Sequence, residues 1–423
     1  MATESTAAPT AAPKAAPRPP HPGSAAAVFG AFLRLGLTSF GGPIAHLGYY
    51  RAEFVERRRW LTEQAYADIV AVCSFLPGPT SSQIGMAIGL SQAGLPGLLA
   101  AWCGFTLPSA AALVAFAYGV EALAGMGGAG LDAGWLHGLK IAAVAIVAQA
   151  VWGMARTLAP DRPRLTVAVG AALLVLAAPA AWGQVAAIAL GGLIGWRVLK
   201  VEAKGPGSPL PLRVSRTAAI ACLGAFFGLL AGLPLLRGVI PPTAPAAQAL
   251  ALVDSFYRSG ALVFGGGHVV LPLLRAEVID PGWIGNDLFL AGYGAAQAVP
   301  GPLFTFAAYL GASLTPEPHG VAGALLCLVA IFLPSFFLVL GVLPFWEFLR
   351  QRSGVQSALA GVNAAVVGLL LAALYHPVWT GAILRPADFG LGLAAFLALH
   401  FWKLPPWGVV LLSAGGGALL ALI

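Results

Sequence analysis

The chain has 423 residues, of which 59% are hydrophobic and 9% charged, with a formal net charge of +7. That balance excludes an ordinary soluble globular domain, and its apolar runs are long enough to cross a hydrocarbon core of about 30 Å as helices. In so apolar a chain the basic excess points to cytoplasmic loops rather than to nucleic acid.

Residues 1–24, "MATESTAAPTAAPKAAPRPPHPGS", lack an apolar core and read as a disordered cytoplasmic tail rather than a signal peptide. Apolar runs and breakers then predict six spans near 25–50, 65–90, 95–119, 136–158, 165–180 and 182–197. A basic linker, "RVLKVEAKGPGSPLPLRVSR" (197–216), leads to an unpaired span near 217–236. Six more follow near 248–273, 287–312, 319–345, 357–378, 386–402 and 405–422. The expected fold is therefore an all-α polytopic membrane protein of about thirteen spans. Its parts are the tail 1–24, a first repeat 25–197, a linker and linking span 198–247, and a second repeat 248–423. Cys73, Cys103, Cys222 and Cys327 stand singly in apolar runs and read as packing residues. No metal or cofactor is expected.

The repeats are visible in the residues. "FLRLGLTSFGGPIAHLGYYRAE" (32–53) and "FYRSGALVFGGGHVVLPLLRAE" (256–277) share ten of 22 positions at an offset of 224, among them Arg34/Arg258, Gly41/Gly265, Gly42/Gly266 and Glu53/Glu277. Pro77-Gly78-Pro79 aligns with Pro300-Gly301-Pro302, "TLPSA" (106–110) with "FLPSF" (332–336), and "HGLK" (137–140) with "AGVN" (360–363). Seven predicted crossings separate equivalent points, and an odd number inverts the second copy, as in many secondary transporters. The positive-inside rule puts the N-terminus, the linker, the 155–164 loop, Arg350 and Arg352 in the cytoplasm, and Glu121 and Asp132 outside. The segment Arg51–Trp60, with four arginines, would then face outward. Either Glu53 and Glu56 neutralise it, or the first span is broken and does not cross simply.

A Pro-Gly-Pro inside a span breaks the helix, and irregular backbone at membrane depth must be buried in protein or line a wet cavity. Helices restarting after such breaks present free N–H groups to anions, and glycines permit close approach. Candidate anion contacts are therefore Gly41, Gly42, Pro77, Gly78, Pro79, Gly265, Gly266, Gly267, Pro300, Gly301 and Pro302. To these are added Arg34 and Arg258, whose forked donors suit a tetrahedral oxyanion, and Thr80, Ser81, Lys140 and His268. The plainer readings are that Arg34 snorkels to the interface, that Thr80 and Ser81 cap a helix, and that the histidines are packed. His46, Glu53, Asp254 and Glu277 are proton-coupling candidates. Asp254 stands four residues before Arg258, a spacing that favours an intrahelical pair, while Glu53 and Glu277 recur beside Arg51 and Arg275 as default membrane-end pairs.

The arginine-to-FGG segment, followed by PGP and LPS and repeated in two halves, resembles the chromate ion transporter family in its long two-domain form. The resemblance spans about 28–420. It implies a multi-pass bacterial inner-membrane protein that exports chromate, confers chromate resistance and is driven by protons or the membrane potential. Pairing with a second copy stays open. The motif positions carried over are Arg34, Phe40, Gly41, Gly42, Pro77, Gly78, Pro79 and, in the second half, Arg258, Phe264, Gly265, Gly266, Pro300, Gly301 and Pro302. The residues alone indicate an anion, and sulfate, of similar size and charge, is the alternative or competing substrate. An enzyme is not expected: no HExxH, GxSxG or Asp-rich run is present, nor a Walker-type loop for an ATP-driven pump.

Overall fold

The computed structural model describes residues 23–125, 134–178, 180–201, 214–241, 243–244, 246–315 and 317–422. Most of the expected tail and linker, and Asp132, lie outside the described residues. Every regular element among the described residues is helical.

The first helix, α1 (Ala25–Thr38), is 14 residues long and capped by the Ser24 hydroxyl. At 1.5 Å per residue it reaches about 21 Å before the chain breaks. After a break at Ser39–Gly41 the chain turns back as α2 (Gly42–Tyr50), which continues into a π-helical turn, Arg51–Arg57. Phe32 of α1 lies edge-on to Tyr50 and stacks on Phe54, so the two arms form a hairpin. A second hairpin follows. It rises through α3 (Glu63–Phe75), breaks at Pro77-Gly78-Pro79 and returns through the first arm of α4 (Thr80–Gly125). That arm ends at Ala93 and Gly94, whose backbone angles are not helical, and the remainder of α4 runs back antiparallel to it. Gly89 and Gly97 make this possible, because a Cβ on either would lie 2.3 or 2.2 Å from the other's carbonyl oxygen. The Gln92 side chain donates to the Trp60 carbonyl (3.4 Å) and lies beside Gly23, so both hairpins open at the end where α1 begins. The arginine-rich segment 51–60 therefore shares the end of the N-terminus, and both explanations offered for it hold. The first stretch doubles back, and Glu56 and Glu63 take Arg51 while Glu53 takes Arg57 and Arg58.

Helices α5 (Gly134–Leu158), α6 (Arg162–Ala177), α7 (Ala181–Val198) and α8 (Arg216–Val239) follow. The second copy repeats the plan. Helices α9 (Ala247–Ala261) and α10 (Val270–Val278) form one hairpin. Helices α11 (Asn286–Ala296) and α12 (Phe306–Ser313) form the next, with Tyr309 donating to the Leu288 carbonyl across it. The Thr315 N–H bonds the Trp283 carbonyl (3.0 Å), the counterpart of Gln92 on Trp60. Then come α13 (Gly320–Val342), the short α14 (Trp346–Arg350), α15 (Ser353–Ala373), which runs through a π-helical turn into α16 (Thr380–Ala382), α17 (Pro386–His400) and α18 (Pro406–Leu420).

Among the described residues, five helical segments are long and apolar enough to cross a membrane: Thr80–Leu123, Gly134–Leu158, Arg216–Val239, Gly320–Phe345 and Ser353–Ala382. Their outer faces expose large apolar side chains such as Leu107, Phe227, Leu235 and Leu325, as lipid contact requires. The copies exchange partners: α5 packs on α17 and α18, whereas α15 packs on α6 and α7. Glycines allow backbone contact at these crossings, Gly138 against the Ser413 carbonyl and Gly361 against that of Gly191.

Candidate functional site

The four breaks are joined in pairs, each pair taking one member from each copy. The Gly78 N–H of the first Pro-Gly-Pro donates to the Val263 carbonyl (2.6 Å), just before the second copy's glycines. The Gly301 N–H of the second Pro-Gly-Pro donates to the Ser39 carbonyl (2.9 Å), at the equivalent place in the first. The prolines that frame these glycines have no N–H to offer. Both glycines have positive φ, +118° and +97°, which side chains rarely adopt. A Cβ on Gly78 would lie 2.7 Å from Ser335 Oγ and 2.6 Å from Gln83 Nε2. One on Gly301 would lie 2.8 Å from Ser109 Oγ. Each Pro-Gly-Pro thus rests on the Leu-Pro-Ser serine of the opposite copy.

Around this crossing, His46 is buried with Nε2 3.2 Å from the Ser39 carbonyl and its ring edge-on to Phe105. Because a carbonyl only accepts, Nε2 carries the proton and Nδ1 is left without a partner among the described residues. The hydroxyls of Ser39, Ser82 and Thr106 and the Gln83 carbonyl oxygen are likewise buried without a partner. Leaving such groups unsatisfied costs about 1–3 kcal/mol each, so several together mark a polar site within an apolar protein. Thr80 and the buried Ser81 open the returning arm of α4 beside them. Gly41 and Gly42, with φ of +101° and +73°, turn the first copy from α1 into α2. Gly265 and Gly266, with φ of +75° and +138°, do so in the second, where Gly267 opens the 3-10 turn that carries His268. His268 Nδ1 is 2.9 Å from the Tyr293 hydroxyl.

The arginines part company. Arg258 makes two hydrogen bonds to buried Asp254 (3.0 and 2.8 Å) and one to Glu277 (3.1 Å), and Arg237 of α8 also reaches Asp254 (3.3 Å). Arg34 is exposed, on the face of α1 whose counterpart on α9 is covered by α8, and no ion pair is recorded for it among the described residues. The two guanidinium groups therefore form no common nest. The reason lies in the asymmetry of the copies: Gly30 stands where the second has Asp254, and α8 brings Arg237 to one copy alone. Arg34 is placed to snorkel. Gly78 and Gly301 differ from expectation too, since their N–H groups are bonded to carbonyls rather than free for an anion.

The carboxylates also find other partners than the neighbouring arginines. Glu53 takes Arg57 and Arg58, and Glu277 takes Arg258. Burial pushes the Glu53 carboxyl up, but hydrogen bonds from Arg57 and Arg58 outweigh it and hold its pKa below the ordinary carboxylate range. Lys140 binds Asp287 (3.0 Å) rather than the crossing. Sequence reasoning missed Ser39, Thr106, Ser109 and Ser335 as residues of the crossing. The repeated Leu-Pro-Ser was the available signal, because a serine recurring inside an apolar span needs a partner.

A family model described as chromate transporter matches residues 26–196 and 250–419, one match per copy. The chain is similar to a chromate transport protein of Pseudomonas aeruginosa, 28% identical over 401 residues that cover 94% of this chain and 92% of that protein. It is 25% identical over 402 residues to the chromate transport protein of Cupriavidus metallidurans, covering 93% and 91%. An uncharacterized transporter of Bacillus subtilis, YwrB, is 30% identical over 175 residues, which are 40% of this chain but 85% of that protein, the proportion of a single copy. No solved structure matches. Two matched copies, together covering most of the chain, place it by descent: it belongs to the chromate transporter family.

Proposed function

We propose that the chain is a secondary active transporter that exports chromate across the bacterial inner membrane, driven by protons, and so confers chromate resistance. The observation that carries this reading is the reciprocal joining of the four breaks, Gly78 to Val263 and Gly301 to Ser39. It brings irregular backbone of both copies and unpartnered hydroxyls of the first to one buried level, where inverted-repeat carriers bind their ions. The names carried by the relatives supply chromate.

In the membrane, the four hairpins reach halfway and turn back, leaving nine crossing helices among the described residues: the five long segments (the long arm of α4, α5, α8, α13 and α15) and the shorter α6, α7, α17 and α18. Five of these lie between equivalent points of the copies, so the inversion persists with fewer crossings than thirteen. The basic residues Arg57, Arg58, Arg162, Arg197 and Lys200 then share the cytoplasmic end. The hydroxyls of Ser39, Ser82 and Thr106 are the donors offered to a tetrahedral dianion. Of the four proton-coupling candidates, the three carboxylates are held by arginines. His46 is the one whose ring touches the crossing, and a proton taken up on its Nδ1 adds a positive charge there.

The test is chromate accumulation by everted vesicles under an imposed pH gradient, with sulfate as competitor. Accumulation above that of vesicles lacking the protein, and dependent on the gradient, is the expected result. No accumulation with either polarity of gradient overturns the reading, and preferred accumulation of sulfate reassigns the substrate.

A further inference from the structure

Inverted copies give every feature at one end of the molecule a counterpart at the other, related here by an offset of 223 residues. The two ends are not alike. At one, Lys140 of α5 donates to Asp287 at the start of α11 (3.0 Å). One turn away His137 Nε2 lies 3.1 Å from the buried Asp388 at the start of α17. Gly294 of α11 meets the backbone of α5, where a Cβ would lie 2.6 Å from the Leu139 carbonyl oxygen. Helices α11, α5 and α17 are thus clamped together.

The inverted positions hold Asn363 for Lys140, Gln64 for Asp287, Ala360 for His137, Leu165 for Asp388 and Ala71 for Gly294. Neither pair can form there. Instead a cavity of about 450 Å³ separates α3 from α15, lined among others by Ala71, Ser74, Arg164, Gln356, Ala360 and Asn363. A larger one of about 970 Å³ adjoins it, sharing Phe75 and Leu359 and reaching Arg352. This end is the basic end, which the positive-inside rule makes cytoplasmic; the cavity of about 670 Å³ at the other end lies among α6, α7, α10 and the end of α15 and does not enter the contact between α5 and α11. Phe75 at the inner limit of both cavities is two residues from the first Pro-Gly-Pro.

We propose that this is the cytoplasm-open state of the carrier. The cleft between α3 and α15 is the entry for an oxyanion, and the Lys140–Asp287 and His137–Asp388 pairs are the latch on the opposite exit. Outward opening parts α11 from α5 as α3 closes on α15, exchanging the roles of the two copies. Asp287 is well exposed, 77% by side chain, so its pair with Lys140 holds the exit shut without locking it. The proposal deepens the reading of the chain as an oxyanion carrier and rests on it.

Single cysteines test it, introduced by Ala360→Cys in the cleft and Ala291→Cys on the latched face of α11, with the native cysteines replaced by serine or alanine. A charged, membrane-impermeant maleimide is applied to everted and to right-side-out vesicles. The A360C variant is expected to label from the cytoplasmic side, and A291C to be protected from the outside. Adding Asp287→Asn raises outside labelling of A291C roughly fivefold and lowers that of A360C, as loss of about 1 kcal/mol from one state requires. The exchanged pair, K140D with D287K, returns labelling toward the original pattern, which a folding defect would not do. Unlabelled A360C, or reactivities unmoved by D287N, overturns the proposal. If labelling shifts as expected while wild-type vesicles carry no chromate, the latch stands and the carrier reading fails.

Discussion

Gly78→Ala is the sharpest perturbation the structure offers. The added Cβ meets Ser335 Oγ at 2.7 Å and Gln83 Nε2 at 2.6 Å, on backbone held at φ +118°. Left-handed strain costs about 1–3 kcal/mol and overpacking about as much again, so the variant should lose roughly 2–5 kcal/mol. In detergent, at one fixed heating rate, the unfolding midpoint should fall by several degrees. Adding Ser335→Ala removes the serine half of the clash but not the strain, and should return about 1 kcal/mol of the packing loss. Adding Ser109→Ala instead should return nothing, since that serine lies under Gly301. The mirrored set, G301A with S109A or S335A, should show the opposite preference. Equal rescue by both serine changes, or a G78A protein as stable as wild type, would refute the reciprocal crossing of the copies.

Three further outcomes are expected. Arg34→Lys should keep both membrane abundance and chromate efflux, because an exposed, snorkelling cation needs no forked geometry. Arg258→Lys should cost most of both, since it forfeits the two-point bond to Asp254; equal effects at the two sites would argue against their different environments. Asp254→Asn leaves Arg258 and Arg237 short of their shared anion and should destabilise the fold by about 3–5 kcal/mol, read as lost abundance and a lowered unfolding midpoint. His46→Gln keeps a donor for the Ser39 carbonyl but removes the titrating nitrogen. Its chromate flux should persist while losing acceleration by the pH gradient, and retained acceleration would move proton coupling elsewhere.

Much was legible before any coordinates. Glycine clusters, Pro-Gly-Pro and Leu-Pro-Ser recurring in order reveal the duplication, and a Gly-Gly-Pro or Pro-Gly-Pro in an apolar run compels a broken helix whatever surrounds it. The pairing of Asp254 with Arg258 followed from their spacing on one helix. Hydropathy did not settle the hairpins, because a run such as 25–50 is apolar enough on average to pass for one span despite Arg34 and His46. Hydropathy reports how greasy a segment is, not whether it doubles back at a glycine. Only contacts such as Gln92 with Trp60 reveal the turn.

The sequence by itself determined what each copy can do: where its helices must break, which positions require glycine, and to which family both copies belong. These are local consequences of covalent structure, since proline lacks an N–H and only glycine turns freely to positive φ. The tertiary structure alone decided which copy supplies each partner. Gly78 answers to Val263 and Ser335, and Gly301 to Ser39 and Ser109. Such choices depend on contacts between residues some 200 positions apart, and packing in three dimensions, not adjacency along the chain, sets them.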